Sequence, residues 1–107
     1  MISLEWIRRN VRAGTYEISD HAFDECEDEN ITDDDIDEVL LNGEILEQYE
    51  ERRDPRGDSC LVLGRPAKAG HVHVVVAKCS PNDEMRIVTA YLPKPPKWID
   101  ERTRGVK

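Results

Sequence analysis

The sequence predicts an α+β fold in which N-terminal helices pack on one face of a four-stranded antiparallel meander sheet. Two observations predict it. Apolar residues recur at helical spacing up to Gly43, whereas beyond it they gather in four short runs rich in Val, Ile and Tyr. The breakers between those runs are too short for a parallel crossover, so neighbouring strands must run antiparallel. A chain of 107 residues buries one core, and 1–107 reads as a single domain.

The elements follow in order. Ser3 is placed to cap a helix over 4–12, with Leu4, Ile7 and Val11 on its apolar side and Gly14 after it, so that 1–14 forms an N-terminal helical unit. Thr15 to Ile18 reads as an extended link. Ser19 or Asp20 caps a second helix from about His21 to Glu29, with Ala22, Phe23 and Cys26 as its apolar stripe. Thr32 and Asp35 have capping-box spacing, and Asp33, Asp34 and Asp35 complement the positive end of the third helix. Ile36, Val39 and Leu40 form its buried side, and Asn42-Gly43 supplies a left-handed stop.

Strands are expected over 44–51, 59–63, 71–79 and 85–92. Turn residues separate them at Asp54-Pro55-Arg56-Gly57, from Gly64-Arg65-Pro66 to Gly70, and at Ser80-Pro81-Asn82-Asp83. Pro93, Pro95 and Pro96 end the last strand, and Trp98 precedes a basic tail, 100–107, carrying Arg102, Arg104 and Lys107. Alternation assigns Val72, Val74, Val76, Val88, Ala90 and Leu92 to the helix-covered face. The other face collects His71, His73, Val75, Ala77, Ile87, Thr89 and Tyr91. If Cys79 pairs with Met85 across the last turn, His73 stands opposite Tyr91 and Val75 opposite Thr89.

Composition narrows the function classes. The first ten residues lack the layout of a secretory signal and no apolar run is long enough to span a membrane, so a cytoplasmic protein is expected. Three widely spaced cysteines, Cys26, Cys60 and Cys79, suit buried thiols better than a disulfide framework or a zinc site. The net charge of −8 is unevenly placed: 20–38 hold eleven carboxylates and no Lys or Arg, leaving +3 for the rest. Attraction to a polyanion is therefore weak overall, although the sheet end is mildly basic. The acidic run lacks the glycine and terminal glutamate of a calcium loop and reads as a solvated helix face, so neither a metal nor a cofactor is expected.

The candidate chemistry lies on the second sheet face. An imidazole beside a phenol can move protons, and a half-buried His and Tyr sharing a hydrogen bond would look the same in sequence. His21 opens the second helix, where an imidazole also caps or packs. Arg52, Arg53 and Arg65 near strand ends could hold a phosphate bidentately, or serve as ordinary exposed turn residues. Trp98 with Lys94 and Lys97 could stack on a base, or pack the tail against the domain.

An ordered set of segments carries a resemblance. Ser19-Asp20-His21-Ala22, then Ile31 through Ile36 leading to Gly43-Glu44-Ile45, then Gly70-His71-Val72-His73-Val74-Val75-Val76, and finally Thr89-Ala90-Tyr91-Leu92-Pro93 with Trp98, resemble the domain-of-unknown-function family 4258 over about 15–99. That family is similar to small bacterial RelE- and BrnT-type toxins, which are metal-independent ribonucleases with helices on an antiparallel sheet. The resemblance implies a RelE-like fold and a toxin-like ribonuclease of a toxin–antitoxin system, similar to mRNA interferases, with RNA as substrate and a zinc-finger antitoxin as partner. Carried over, the family motifs fall on His21, His73, Thr89 and Tyr91 as catalytic candidates, and Arg52, Arg65, His71 and Trp98 are the candidates for substrate contacts. RelE-type toxins carry clustered Lys and Arg on this sheet, where the present chain has His71, His73 and Tyr91. The alternative expectation is a non-catalytic interaction module whose acidic helices bind a basic partner. A homodimer through the first or last strand edge is also open.

Overall fold

The computed structural model describes residues 1–49 and 57–105. The chain forms α1 (Leu4–Ala13), β1 (Tyr16–Ile18), α2 (Asp20–Glu29), α3 (Asp33–Asn42), β2 (Glu44–Tyr49), β3 (Ser59–Gly64), β4 (Val72–Cys79) and β5 (Glu84–Tyr91). The strands make one five-stranded sheet in the order β1-β5-β4-β3-β2. The helices lie on one face of it, as their apolar spacing requires.

The helix starts are set locally. The Ser3 hydroxyl accepts from the Trp6 amide, the Ser19 hydroxyl from Ala22, and Thr32 and Asp35 close a reciprocal capping box. Two stops are left-handed, Gly14 at φ 69° and Asn30 at φ 58°. Gly43 corrects its expectation: it is extended, at φ −82° and ψ −170°. Its glycine is required by close approach, because a Cβ there would lie 2.4 Å from the carbonyl oxygens of both Leu63 and Val39. Gly64 answers from β3, where a Cβ would meet the Val39 Cα at 2.8 Å. The two glycines let the end of α3 sit directly on the sheet.

The sheet has one strand more than the sequence predicts, and it is mixed. Tyr16–Ile18, read as a link, pairs in parallel with β5 at Tyr16↔Met85, Glu17↔Arg86 and Ile18↔Ile87. Three residues carry too little alternation to be recognised, and the long path from β1 to β5 supplies the crossover that a parallel pair needs. The antiparallel meander holds for β2 to β5. β5 is consequently internal, so the exposed edges are those of β1 and β2.

Two bulges decide which side chains face which way. His73 stands opposite Tyr91 and Val75 opposite Thr89, but Val76 then pairs with Ile87, leaving Val88 as an extra residue on β5. The turn end accordingly pairs Cys79 with Glu84 rather than Met85. The inserted residue corrects the register before it reaches His73, and it turns Ile87 and Met85 into the core in place of Val88. On β2 the extra residue is Leu46: Ile45 pairs with Val62, and Glu47 then pairs with Leu61, which swings Glu47 and Tyr49 away from the helices.

The core joins Ile7, Val11, Ala22, Cys26, Ile36, Val39 and Leu40 to Val62, Val72, Val74, Val76 and Ile87. Burial pushes the Cys26 thiol up to about 11 and the Cys60 thiol up to about 12, so both behave as small apolar groups. Phe23 departs from the stripe assigned to it and is 55% exposed on the outer side of α2. Among the described residues, no helix is long and apolar enough to cross a membrane.

Candidate functional site

The acidic helix α2 is tied to the sheet by its carboxylates. β1 ends at Ile18, so among the described residues the outer edge of β5 beyond Ile87 has no strand partner. Side chains and the helix start replace it: the Ser19 amide donates to the Ile87 carbonyl, the Ser19 hydroxyl to the Val88 carbonyl, and the amides of Ala90 and Leu92 donate to Glu25 (3.2 Å) and Glu29 (2.6 Å). The Thr89 hydroxyl also donates to Glu25. The run 20–38 is thus more than a solvated face, since two of its carboxylates act as edge acceptors.

A cleft of about 530 Å³ opens beside this seam. His21, Glu25 and Glu29 of α2 form one wall, Val88, Thr89 and Tyr91 of β5 the floor, and Lys94, Lys97, Trp98 and Arg104 the opposite wall. The His21 side chain is 71% exposed, with Nε2 3.3 Å from Glu25 Oε1 one helical turn away. Lys94 Nζ lies 3.1 Å from Glu29, and Lys97 Nζ lies 5.7 Å from the Tyr91 ring centre. Three of the four catalytic candidates, His21, Thr89 and Tyr91, therefore meet at one opening.

His73 meets Tyr91 but not the solvent. It is 0% exposed, covered by Trp98, whose ring centre lies 4.4 Å from the imidazole in an edge-on arrangement. His73 Nε2 is 2.7 Å from the Glu101 carbonyl, which can only accept, so that nitrogen carries the proton. Nδ1 of the neutral ring then accepts from the Tyr91 hydroxyl at 3.2 Å, and the Tyr91 oxygen accepts from the Trp98 indole at 3.2 Å. Both His73 nitrogens, the Tyr91 hydroxyl and the Trp98 indole thus have partners, so the expected solvent-facing pair is a covered one. Trp98, 1% exposed, packs the tail rather than offering a face to a base.

The cover is made by 98–104. Arg104 stacks over Trp98 at 4.6 Å, donates two bonds to the Glu47 carboxylate and one to the Tyr49 hydroxyl, and Tyr49 in turn donates to Glu47. These bonds hold the Glu47 carboxyl below its usual range, while burial raises the Tyr49 phenol. Burial is also the largest influence on Tyr91, which it raises, and on His73, which it lowers.

Below the ordinary value of 6.5 an unfolded chain binds a proton that the folded His73 ring resists. The contribution of His73 to stability is intact above that value and is lost as the pH falls through the window beneath it. Urea titrations at pH 7.5 and 5.5 should show a loss on acidification that shrinks in His73→Gln. Equal losses in the two proteins would contradict the assignment.

The substrate candidates separate. Arg65 and His71 line a shallow depression with Gly64 and Arg102, away from the cleft, and His71 Nδ1 lies 3.8 Å from Glu101. Arg52 and Arg53 lie outside the described residues. Glu47, Tyr49 and the clasping roles of Glu25 and Glu29 escape sequence reasoning, because a bulge and an inter-element edge create them. Among the described residues no group of three or more His, Cys, Asp or Glu is gathered as a metal site.

Comparison with known proteins gives one family. The model of the family described as Domain of unknown function (DUF4258) matches residues 18–92, from the end of β1 to just past β5, and thus includes His21, His73, Thr89 and Tyr91. No curated protein and no solved structure matches the chain.

Proposed function

The chain belongs to the DUF4258 family, and on that footing we propose that it is a toxin-like, metal-independent ribonuclease related to the RelE and BrnT toxins. The observation that supports this most is the cleft in which His21 and Tyr91 line the same opening as Lys94 and Lys97. In RNA cleavage the ribose 2′-hydroxyl attacks the adjacent phosphorus, a base removes its proton, and an acid protonates the departing 5′-oxygen. His21 is the accessible imidazole of this cleft and takes the first role, that of the base. The Tyr91 hydroxyl, kept protonated by burial, takes the second. Lys94 and Lys97 hold the phosphate against the cationic wall, and Thr89 fixes Glu25 behind His21.

The test is cleavage of single-stranded RNA in the presence of EDTA. His21→Ala and Tyr91→Phe should each lower the rate by about 100-fold, the usual weight of one acid–base group. An inert wild-type protein, or variants that cleave as fast as it does, would falsify the reading.

A partner-binding role for α2 has its own support. Phe23 is exposed between Asp20, Asp24 and Glu27, a single aromatic ring on an acidic surface suited to a basic partner such as a zinc-finger antitoxin. Binding of such a partner should weaken with salt and in Phe23→Ser. Indifference to both would remove α2 from the interface.

A further inference from the structure

We propose that Trp98–Arg104 is a strap that lifts as a unit, and that its lifting joins His73 to the cleft as a proton acceptor beside Tyr91. The proposal deepens the ribonuclease reading, and its activity arm rests on that reading.

The strap is folded on itself. The Ile99 amide donates to the Thr103 carbonyl and the Gly105 amide to the Lys97 carbonyl, both at 2.8 Å, and Trp98 and Arg104 face each other across a β-bridge. Asp100 Oδ1 accepts from the amides of Arg102 and Thr103, each at 2.8 Å. Among the described residues, the sheet reaches a strap backbone group through His73 Nε2 at the Glu101 carbonyl. Lifting therefore leaves the strap's internal bonds intact and frees one carbonyl to water. A segment whose bonds with the sheet ran along its whole backbone could not detach so simply.

Its remaining ties suit reversible closure. Arg102 to Glu44 is an ion pair between half-exposed side chains, and Arg104 to Glu47 joins a half-exposed guanidinium to a carboxylate at the surface's margin; neither pair is sealed from water, so both are weakened by salt. One buried ring, Trp98, must offset the ordering of the whole segment. The strap also lies beyond 18–92, the part of the chain that the family match covers, whereas His73 and Tyr91 lie within it.

Beneath the strap is a polar arrangement out of keeping with a mere packing surface. His73 on β4 and Tyr91 on the neighbouring β5 share the face turned away from the core with Glu47 and Tyr49 on β2, which β3 separates from β4. The strap occupies one nitrogen of His73, the oxygen of Tyr91 and the carboxylate of Glu47. Once it lifts, His73 Nε2 loses its carbonyl partner and Tyr91 its indole donor; the ring can then carry its proton on Nδ1, donating to the Tyr91 oxygen, which leaves Nε2 bare toward the cleft to accept a proton.

Diethyl pyrocarbonate, which acylates accessible imidazoles, reads the strap directly when modified peptides are resolved by mass. In the intact protein His21 should react readily and His73 slowly. Two variants loosen the strap from different sides. Arg104→Ala removes its bonds to Glu47 and Tyr49, and Gly105→Ala places a Cβ 1.7 Å from the Pro96 carbonyl oxygen and 3.3 Å from the Lys97 carbonyl carbon while leaving the His73 and Tyr91 side chains unchanged. Each should raise His73 acylation about tenfold while the Val74 and Val76 amides stay protected from hydrogen exchange. If His73 gains reactivity only together with loss of that core protection, or reacts as fast as His21 in the intact protein, the strap is not a separate unit and the proposal is overturned.

The activity arm uses the same proteins on RNA. Loosened variants that cleave faster than wild type, with the gain removed by His73→Gln, support the role of His73. Loosened variants that cleave at the wild-type rate overturn that role. If no form cleaves RNA although His73 becomes reactive, the ribonuclease reading fails and takes the catalytic role of His73 with it, while the mobile strap stands.

Discussion

Replacing Gly43 by alanine should destabilise the protein by about 3 kcal/mol, the upper range for forcing an extra carbon into a packed site. The new Cβ would fall on two backbone carbonyl oxygens, those of Leu63 and Val39, and neither can swing aside as a side chain could. The same two elements are pinned again at Gly64, so α3 cannot retreat without opening its contact with β3. The asparagine variant separates two explanations. Were Gly43 a left-handed helix stop, asparagine would be tolerated better than alanine. In an extended glycine excluded by contact, Gly43→Asn must be at least as damaging. Urea denaturation of both variants decides it: a loss below about 1 kcal/mol for either would show that the helix end has room to move.

Removing the carboxylate of Glu25 should cost about 2 kcal/mol, within the range for hydrogen bonds to a charged group. Glu25 serves as the partner of the Ala90 amide and the Thr89 hydroxyl, and Ala90 is wholly buried. In Glu25→Ala the amide has, among the described residues, no strand beside it, because β1 stops at Ile18. Hydrogen exchange at Ala90 should accelerate in Glu25→Ala, and at Leu92 in Glu29→Ala, each with the other amide little changed. A variant as stable as wild type, with Ala90 still protected, would mean that water or another group completes the β5 edge. The prediction also bears on function, since Glu25 sits 3.3 Å from His21. Loss of the clasp should lower RNA cleavage along with stability.

Much of the molecule follows from local chemistry. Ser3, Ser19 and Thr32 start their helices because a short side-chain oxygen satisfies an amide that the first turn leaves unpaired. Alternation along β4 and β5 assigns His73 and Tyr91 to the same sheet face, and the extra residue Val88 then sets them directly opposite, because the turn pairs Cys79 with Glu84. The α+β class, the meander and the helix-covered core rest on the same periodicities.

Burial on the second face was settled elsewhere. Whether His73 meets solvent depends on a tail that returns from residue 98 to cross the sheet, and no periodicity in β4 records what will later lie upon it. Glu47 reaches Arg104 through a bulge at Leu46, and β1 becomes a strand because β5 offers it an unpaired edge. Glu25 and Glu29 look like any exposed helical carboxylates until that edge outruns its three-residue partner. The residue pattern alone specifies the three helices and the four strands of the meander, since these rest on contacts between near neighbours and a regular repeat. Only the tertiary structure decided that His21, Thr89 and Tyr91 share an opening while His73 lies under a strap, because both depend on segments distant in the chain competing for the same surface.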